Sequence, residues 1–171
     1  MAILWLSASF GYYLISYQLK YIEGDLYLNG IISGVSEDIA YILAGFIYPF
    51  LGFKKTMFVS FLISIVGMTA LTLVNPDDPE SKPSNTVIAT MVLGAKFGIS
   101  SAFNLVYLGN NLLFPVSIKA TSYGICNFVS RLFTVGAPFF AELKPISISE
   151  FTFIGFCVLS VIATFCIRQP L

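Results

Sequence analysis

Four ionisable side chains lie inside long apolar stretches of this 171-residue chain: Glu37, Asp38, Lys96 and Arg131. A charge inside a membrane is costly unless it is paired or faces water, and such residues commonly line paths for ions or polar solutes. Two kinds of chemistry follow. The two acids and two bases could neutralise one another as structural ion pairs, or some could bind a charged small molecule in a polar cavity. We favour the cavity, and the ion pairs stay open as the alternative.

The two acids are adjacent, which gives them different surroundings. Neighbouring residues of an α-helix point about 100° apart, so Glu37 and Asp38 cannot both face one cavity. Glu37 shares a helix face with Tyr41, four residues further on. Glu37 is therefore the candidate for ligand binding, and Asp38 is expected against a neighbouring helix.

The fourth apolar stretch is unusually polar. Asn104 lies one helical turn from Ser100 and Ser101, and Asn110 and Asn111 follow. Such residues form hydrogen bonds between membrane helices as readily as they line a cavity. Both interpretations stay open, and Asn104 is included among the candidate binding residues.

Aromatic and small residues add weaker patterns. Tyr12 and Tyr13 could stack on an organic or cationic ligand, although packing explains them more simply. The spacings in Gly30-x-x-x-Gly34 and Gly94-x-x-x-Gly98 allow close approach of helices. This pattern is common in membrane helices and specifies no function by itself.

The composition argues against catalysis. The chain has no histidine, no Gly-x-Ser-x-Gly segment and no P-loop, and its three cysteines lie in apolar stretches. Cys126, Cys157 and Cys166 are read as buried small hydrophobic residues. We expect no enzymatic activity, no metal and no other cofactor. A net charge of zero gives no reason to expect a nucleic acid partner.

The elements that position these residues follow from hydropathy. The chain is 57% hydrophobic and 11% charged, whereas soluble domains carry roughly 25% charged residues. Long apolar runs without alternation indicate helices, not barrel strands, in lipid. We predict an all-α membrane protein with the bilayer as its surroundings, in which residues 1–171 form a single domain of six transmembrane helices. The predicted helices cover 2–17, 30–51, 56–74, 86–113, 120–140 and 151–167.

The charges of the connectors predict the orientation. Alternate connectors form two groups, one with four basic residues and no acid, and one with three basic residues among many acids. Short basic loops stay in the cytoplasm, so both termini are predicted to be cytoplasmic. The protein would be a multi-pass integral protein of the plasma membrane or an organelle membrane. The first group contains Lys54, Lys55, Lys119 and Arg168.

Several motifs, in order along the chain, resemble the C-terminal six-helix half of the organic cation/anion/carnitine transporter branch of the major facilitator superfamily. Trp5 to Tyr13 is similar to the seventh helix of that family. Gly52-Phe53-Lys54-Lys55 resembles its Gly-Arg-Arg turn between helices eight and nine. The remaining similar segments are Asp25 to Leu28 followed by Glu37, Gly94 to Lys96 with Ala102 to Asn104, and Leu113 to Pro115 with Ile118, Lys119, Thr121 and Gly124.

The resemblance implies transport of a small organic ion by alternating access, at the interface with an N-terminal six-helix half. By position, Tyr12 would line the central cavity. Lys96 and Arg131 fall where anion-transporting members place cavity bases, which favours anions over cations. Substrate-binding candidates are thus Tyr12, Glu37, Lys96, Asn104 and Arg131, and gate candidates are Gly52, Lys54, Lys55 and Lys119.

Departures from the family pattern favour a second hypothesis. The glutamate expected before the Leu-Tyr-Pro turn is missing, with Asn111 and Leu112 in its place, and both gate arginines are lysines. Lysine keeps the charge but loses the bidentate geometry of arginine. The alternative is therefore a transport-inactive accessory subunit of a larger membrane assembly. For a transporter, the expected partner is an N-terminal half or a second copy of the chain.

Overall fold

The computed structural model describes residues 1–19, 26–73, 85–142 and 147–167. All regular structure in these ranges is helical, which confirms the predicted all-α class. Five spans are long and apolar enough to cross a membrane, with α5 and α6 counted as one span, and the 17-residue α1 precedes them. The helices are α1 (Ala2–Gln18), α2 (Leu26–Leu51), α3 (Phe53–Leu73), α4 (Asn85–Leu113), α5 (Val116–Thr134), α6 (Ala137–Glu142) and α7 (Ser147–Cys166).

The turn between α2 and α3 is tighter than predicted. Gly52 has a φ of 79°, a conformation that glycine adopts without steric cost. Its N–H donates to the carbonyl of Tyr48 at 2.9 Å, which ends α2 in a left-handed cap. The chain therefore reverses through one residue, and Lys54 and Lys55 lie in the first turn of α3 instead of a connector.

The predicted fifth helix, 120–140, is divided in two. A turn at residues 135–136 separates α5 from α6, and Pro138 follows it. Proline cannot donate a helical hydrogen bond and clashes with the carbonyl four residues earlier. The break at this point is thus a consequence of Pro138. The connectors that contain Glu23, Asp25, 75–79, 144–145 and Arg168 lie outside the described residues.

The centre of the bundle is formed by α1 and α4. Helix α1 contacts α4, α5, α6 and α7, while α4 also packs on α2 and α3, and α3 packs on α7. The core contains Trp5, Phe61, Ile99 and Phe153, all fully buried. Helices α1 and α2 therefore both pack against α4, which brings Tyr12, Glu37 and Lys96 together.

Close helix packing occurs at Gly98 of the second predicted motif and at Gly67, which belongs to neither motif. A Cβ at Gly98 would lie 2.5 Å from Ser64 Oγ, and one at Gly67 would lie 2.6 Å from the backbone nitrogen of Ala95. The α3–α4 contact therefore depends on these two glycines. At Gly30 and Gly34 a Cβ would meet no described atom within 4 Å, so that motif is open in this chain.

Helices α2 and α5 are the most exposed spans. In the most apolar stretch of α2, 17% of the residues are buried. The buried share is 22% in the α5–α6 span and 56% in α4. Both carry large exposed apolar side chains. The side chains are Ile31, Val35, Ile42, Phe46 and Phe50 on α2, and Ile125, Phe128, Leu132 and Phe133 on α5.

Candidate functional site

Glu37 is the centre of a polar cluster that joins three helices. Its Oε1 accepts a hydrogen bond from the hydroxyl of Tyr12 on α1 at 2.7 Å. The hydroxyl of Tyr41, one turn further along α2, donates to the same oxygen. The other carboxylate oxygen lies 3.7 Å from the Nζ of Lys96 on α4. We call Tyr12, Glu37, Tyr41 and Lys96 the carboxylate cluster.

Lys96 is almost completely enclosed. Its side chain is 7% exposed, against 15% for that of Glu37. The ammonium group also donates to Ser33 Oγ at 2.5 Å and lies 5.6 Å from the centre of the Tyr12 ring. Because an acid and a base face each other, the carboxylate cluster carries no net charge when both are ionised.

Aromatic rings extend the cluster along α1 and α4. Tyr12 stacks on Phe103 with ring centres 5.1 Å apart, and Phe103 meets Tyr107 edge-on at 5.2 Å. Tyr107 in turn lies 5.7 Å from Tyr123 of α5. A planar or cationic organic group could stack on such a surface.

Arg131 has different surroundings from Lys96. It is exposed on α5, and its Nη1 donates to the hydroxyl of Tyr13 at 2.6 Å. Its Nε donates to Asn127 Oδ1 at 3.3 Å. In the described ranges Arg131 makes no ion pair, so its guanidinium charge is held by neutral partners. Such a group can attract an anion.

The other polar candidates divide between helix packing and solvent. Asn104 donates to the backbone carbonyl of Tyr41 at 3.3 Å, and Ser101 donates to that of Ala40 at 3.3 Å. Both therefore link α4 to α2, the helix-packing interpretation of this polar stretch. Asp38 is exposed, so the expectation that it lies against a neighbouring helix is wrong within the described structure.

The gate candidates lie at one end of the bundle. Phe53, which follows Gly52, packs its ring against Gly109 near the end of α4. A Cβ at Gly109 would lie 2.4 Å from that ring and 3.3 Å from the end of the Met1 side chain. Lys119 follows in the first turn of α5. Lys119 and the Gly52 turn therefore share an end of the bundle with the start of α1.

Hydrogen bonds of an uncharged side chain hold the turn between α4 and α5. Asn110 is fully buried, and its amide donates to the carbonyl of Lys119 at 3.3 Å. The hydroxyl of Ser122 donates to Asn110 Oδ1 at 3.2 Å. One amide thus fixes the first turns of α5 against α4.

Ser33, which accepts a hydrogen bond from Lys96, is a contact of the cluster that the candidate residues did not include. Ser33, Glu37 and Tyr41 are spaced four residues apart, so the spacing already places all three on one face of α2. The link from Tyr12 to Glu37 depends on α1 and α2 both packing against α4, which the sequence does not specify. Among the described residues, no group of three or more histidine, cysteine or acidic side chains could hold a metal ion.

Comparison with known proteins gives relatives but no matching family model. The chain is 32% identical over 140 residues to solute carrier family 22 member 4 of Mus musculus. It is 27% identical over 140 residues to organic cation/carnitine transporter 2 of Homo sapiens, and 29% identical over 144 residues to solute carrier family 22 member 16 of Xenopus laevis.

These alignments cover 82–84% of the chain but 24% of each relative. The chain thus spans about a quarter of the length of the curated relatives it matches. Together with the apolar helices, they support a multi-pass membrane protein. The chain is similar over 82–84% of its length to members of the organic cation/carnitine transporter branch of the major facilitator superfamily, and its helices fit a C-terminal half of that fold.

Proposed function

We propose that the chain forms one half of a carrier that moves small organic ions, with anions favoured over cations, by alternating access. The observation that carries this proposal is the exposed guanidinium of Arg131, which is held by Tyr13 and Asn127. Neither partner neutralises the charge, so an anionic group can pair with it. The relatives named for organic cations and carnitine support charged organic solutes as the general class.

The carboxylate cluster supports a positioning role beside this charge. Lys96 is already paired with Glu37, so a substrate anion would have to compete with that carboxylate to reach it. Tyr12 and Tyr13 are in edge-to-face contact at 5.3 Å and connect Glu37 to Arg131. In this proposal Arg131 binds the anion, Tyr12 contacts its organic part, and Glu37, Lys96 and Asn104 complete the polar wall.

The exposed faces of α2 and α5 support an N-terminal half as the partner. Both helices combine exposed apolar side chains with glycines that no described atom approaches, at Gly30, Gly34 and Gly124. Small residues let membrane helices approach closely. The alignment covers 24% of the length of the relative from Mus musculus, so that relative has room for a second, different helical bundle. This favours an N-terminal half over a second copy of the chain as the partner.

The gate and the orientation are also part of the proposal. Lys54, Lys55 and Lys119 lie at the end of the bundle that includes Met1, where the positive-inside rule places the cytoplasm. The end of α7 lies beside Lys54 and Lys55, which supports the proposal that both termini are cytoplasmic. The Gly52 turn would move with α2 and α3 when the two halves rock, and no catalytic step is assigned to the chain.

The test is uptake by vesicles. The chain is reconstituted with an N-terminal half of this transporter branch, and uptake of labelled organic anions and cations is followed. We expect anion uptake that Arg131→Ala reduces more than tenfold and that Lys96→Ala reduces less. Thr152→Val is the matched control, because its hydroxyl bonds within α7 to the carbonyl of Ile148.

Three results would count against parts of the proposal. Unchanged anion uptake in both Arg131→Ala and Lys96→Ala would refute the preference for anions. Uptake by the chain alone, with a dimer as the active form, would replace the N-terminal half with a second copy. No uptake of any tested ion by folded protein would favour the transport-inactive accessory subunit. The departures from the family pattern at Lys54, Lys55 and Asn111 also favour that alternative.

A further inference from the structure

A cavity of about 560 Å³ lies at the outer surface of the bundle, where α2 ends, α3 begins and α7 ends. It is separate from the carboxylate cluster, with which it shares no residue. It lies at the end of the bundle that carries Lys54, Lys55 and Lys119. Its lining residues are Leu51, Lys54, Lys55, Phe58, Val59, Thr164 and Phe165.

The polar groups of the cavity are almost entirely positive. Lys54 and Lys55 line it, and within the described structure neither makes an ion pair. No acidic side chain is among its described lining residues. The hydroxyl of Thr164 is already used, because it donates to the carbonyl of Ser160 at 2.8 Å. The cavity therefore presents two ammonium groups without an opposing charge.

The rest of the wall is apolar, and part of it is exposed on the outside of the bundle. Phe165 is 70% exposed and meets Phe58 edge-on with ring centres 5.6 Å apart. Leu51 and Val59 are also exposed. In a helix that crosses a membrane, such side chains contact acyl chains, while lysine extends its ammonium group toward the headgroups.

We propose that this cavity binds one anionic glycerophospholipid, with its phosphate between Lys54 and Lys55 and an acyl chain along Phe165. Charge complementarity selects the headgroup, and the apolar wall selects a lipid over a soluble phosphate. Basic pockets between membrane helices on the cytoplasmic side bind anionic headgroups. The bound lipid would brace the Gly52 turn, and the proposal does not depend on which ion the carrier moves.

The experiment is native mass spectrometry of the purified full chain in detergent. Phosphatidylglycerol and phosphatidylcholine with identical acyl chains are added at equal concentration. We expect phosphatidylglycerol to be retained preferentially, and binding to weaken by about fivefold for each lysine removed in Lys54→Gln and Lys55→Gln. Lys119→Gln is the matched control, since it removes one charge from the same end outside the cavity.

The outcomes separate lipid binding from simpler explanations. Helical circular dichroism of the variants is compared first, so that a loss of binding is not a loss of folding. Equal retention of both lipids, or an equal loss in Lys119→Gln, would overturn the site. Displacement of the lipid by soluble glycerol 3-phosphate at the same concentration would show a phosphate site in place of a lipid site. A lowered retention of phosphatidylglycerol in Phe165→Ala would support the acyl-chain contact.

Discussion

The ion pair between Glu37 and Lys96 gives the sharpest test of the structure. With 3.7 Å between charged atoms, Coulomb's law gives about 4 kcal/mol of attraction at an effective dielectric constant of about 20. The desolvation of two enclosed charges offsets most of this attraction. The pair therefore adds little net stability, whereas removing one partner leaves an uncompensated charge, at a cost of about 3–5 kcal/mol.

The hydrogen bonds predict that the two single variants differ. In Lys96→Met the carboxylate of Glu37 still accepts from Tyr12 and Tyr41. In Glu37→Leu, which removes both carboxylate oxygens, the ammonium of Lys96 keeps only Ser33 Oγ as a hydrogen-bond acceptor among its described contacts. A hydrogen bond to a charged group contributes about 1.5–3 kcal/mol. We therefore expect Lys96→Met to cost about 2 kcal/mol less than Glu37→Leu, and the double variant to cost less than the sum of the two.

The measurement is a double-mutant cycle on the free energy of unfolding. The chain is purified in dodecyl maltoside, unfolded with increasing SDS and followed by far-ultraviolet circular dichroism. Residues in contact give coupling energies of about 0.5–3 kcal/mol, and distant residues are additive. Additive losses from Glu37→Leu and Lys96→Met would refute the pair. A greater loss in Lys96→Met would refute the role given to the two tyrosine hydroxyls.

Two further predictions use the same unfolding measurement. Gly98→Val places atoms against Ser64 and the α3 backbone, and such overpacking costs about 1–3 kcal/mol. Gly94→Val is the control and should cost clearly less, because a Cβ at Gly94 meets no described neighbour within 4 Å. Equal losses of stability in the two variants would contradict the α3–α4 packing. Asn110→Leu breaks the buried contacts that fix the start of α5 and should cost about 1–3 kcal/mol. Asn111→Leu, at an exposed position, is its control, and a similar loss there would refute the role of Asn110.

The helices were predictable from the sequence because a stretch that spans lipid must be continuously apolar. Their ends were less predictable, since local conformation decides them. A turn of one residue at Gly52 depends on its φ of 79°, and hydropathy alone places Lys54 and Lys55 in a connector. Pro138 is a visible signal for the break before α6, whereas the apolar residues on both sides of it predict one continuous helix.

The site was less predictable because it depends on which helices are neighbours. Four intramembrane charges were evident, yet their pairing was not. The sequence allowed Glu37 to face either base, and the contact of α2 with α4 pairs it with Lys96. The sequence favours a packing role for Tyr13, but in the structure its hydroxyl accepts a hydrogen bond from Arg131 at 2.6 Å. Neither result can be deduced from spacing along one helix.

The two intramembrane bases therefore have separate physical roles. Lys96 is enclosed and paired, so changing it acts first on the contact between α2 and α4 and hence on stability. Arg131 is exposed and bonded to neutral groups, so changing it leaves no orphaned acid, and in the proposed carrier the change acts first on binding of a charged ligand. A selectivity change at Arg131 without loss of stability, together with a stability change at Lys96, is what this arrangement requires. The reverse assignment would mean that the anion site is the carboxylate cluster itself, with Glu37 displaced by substrate.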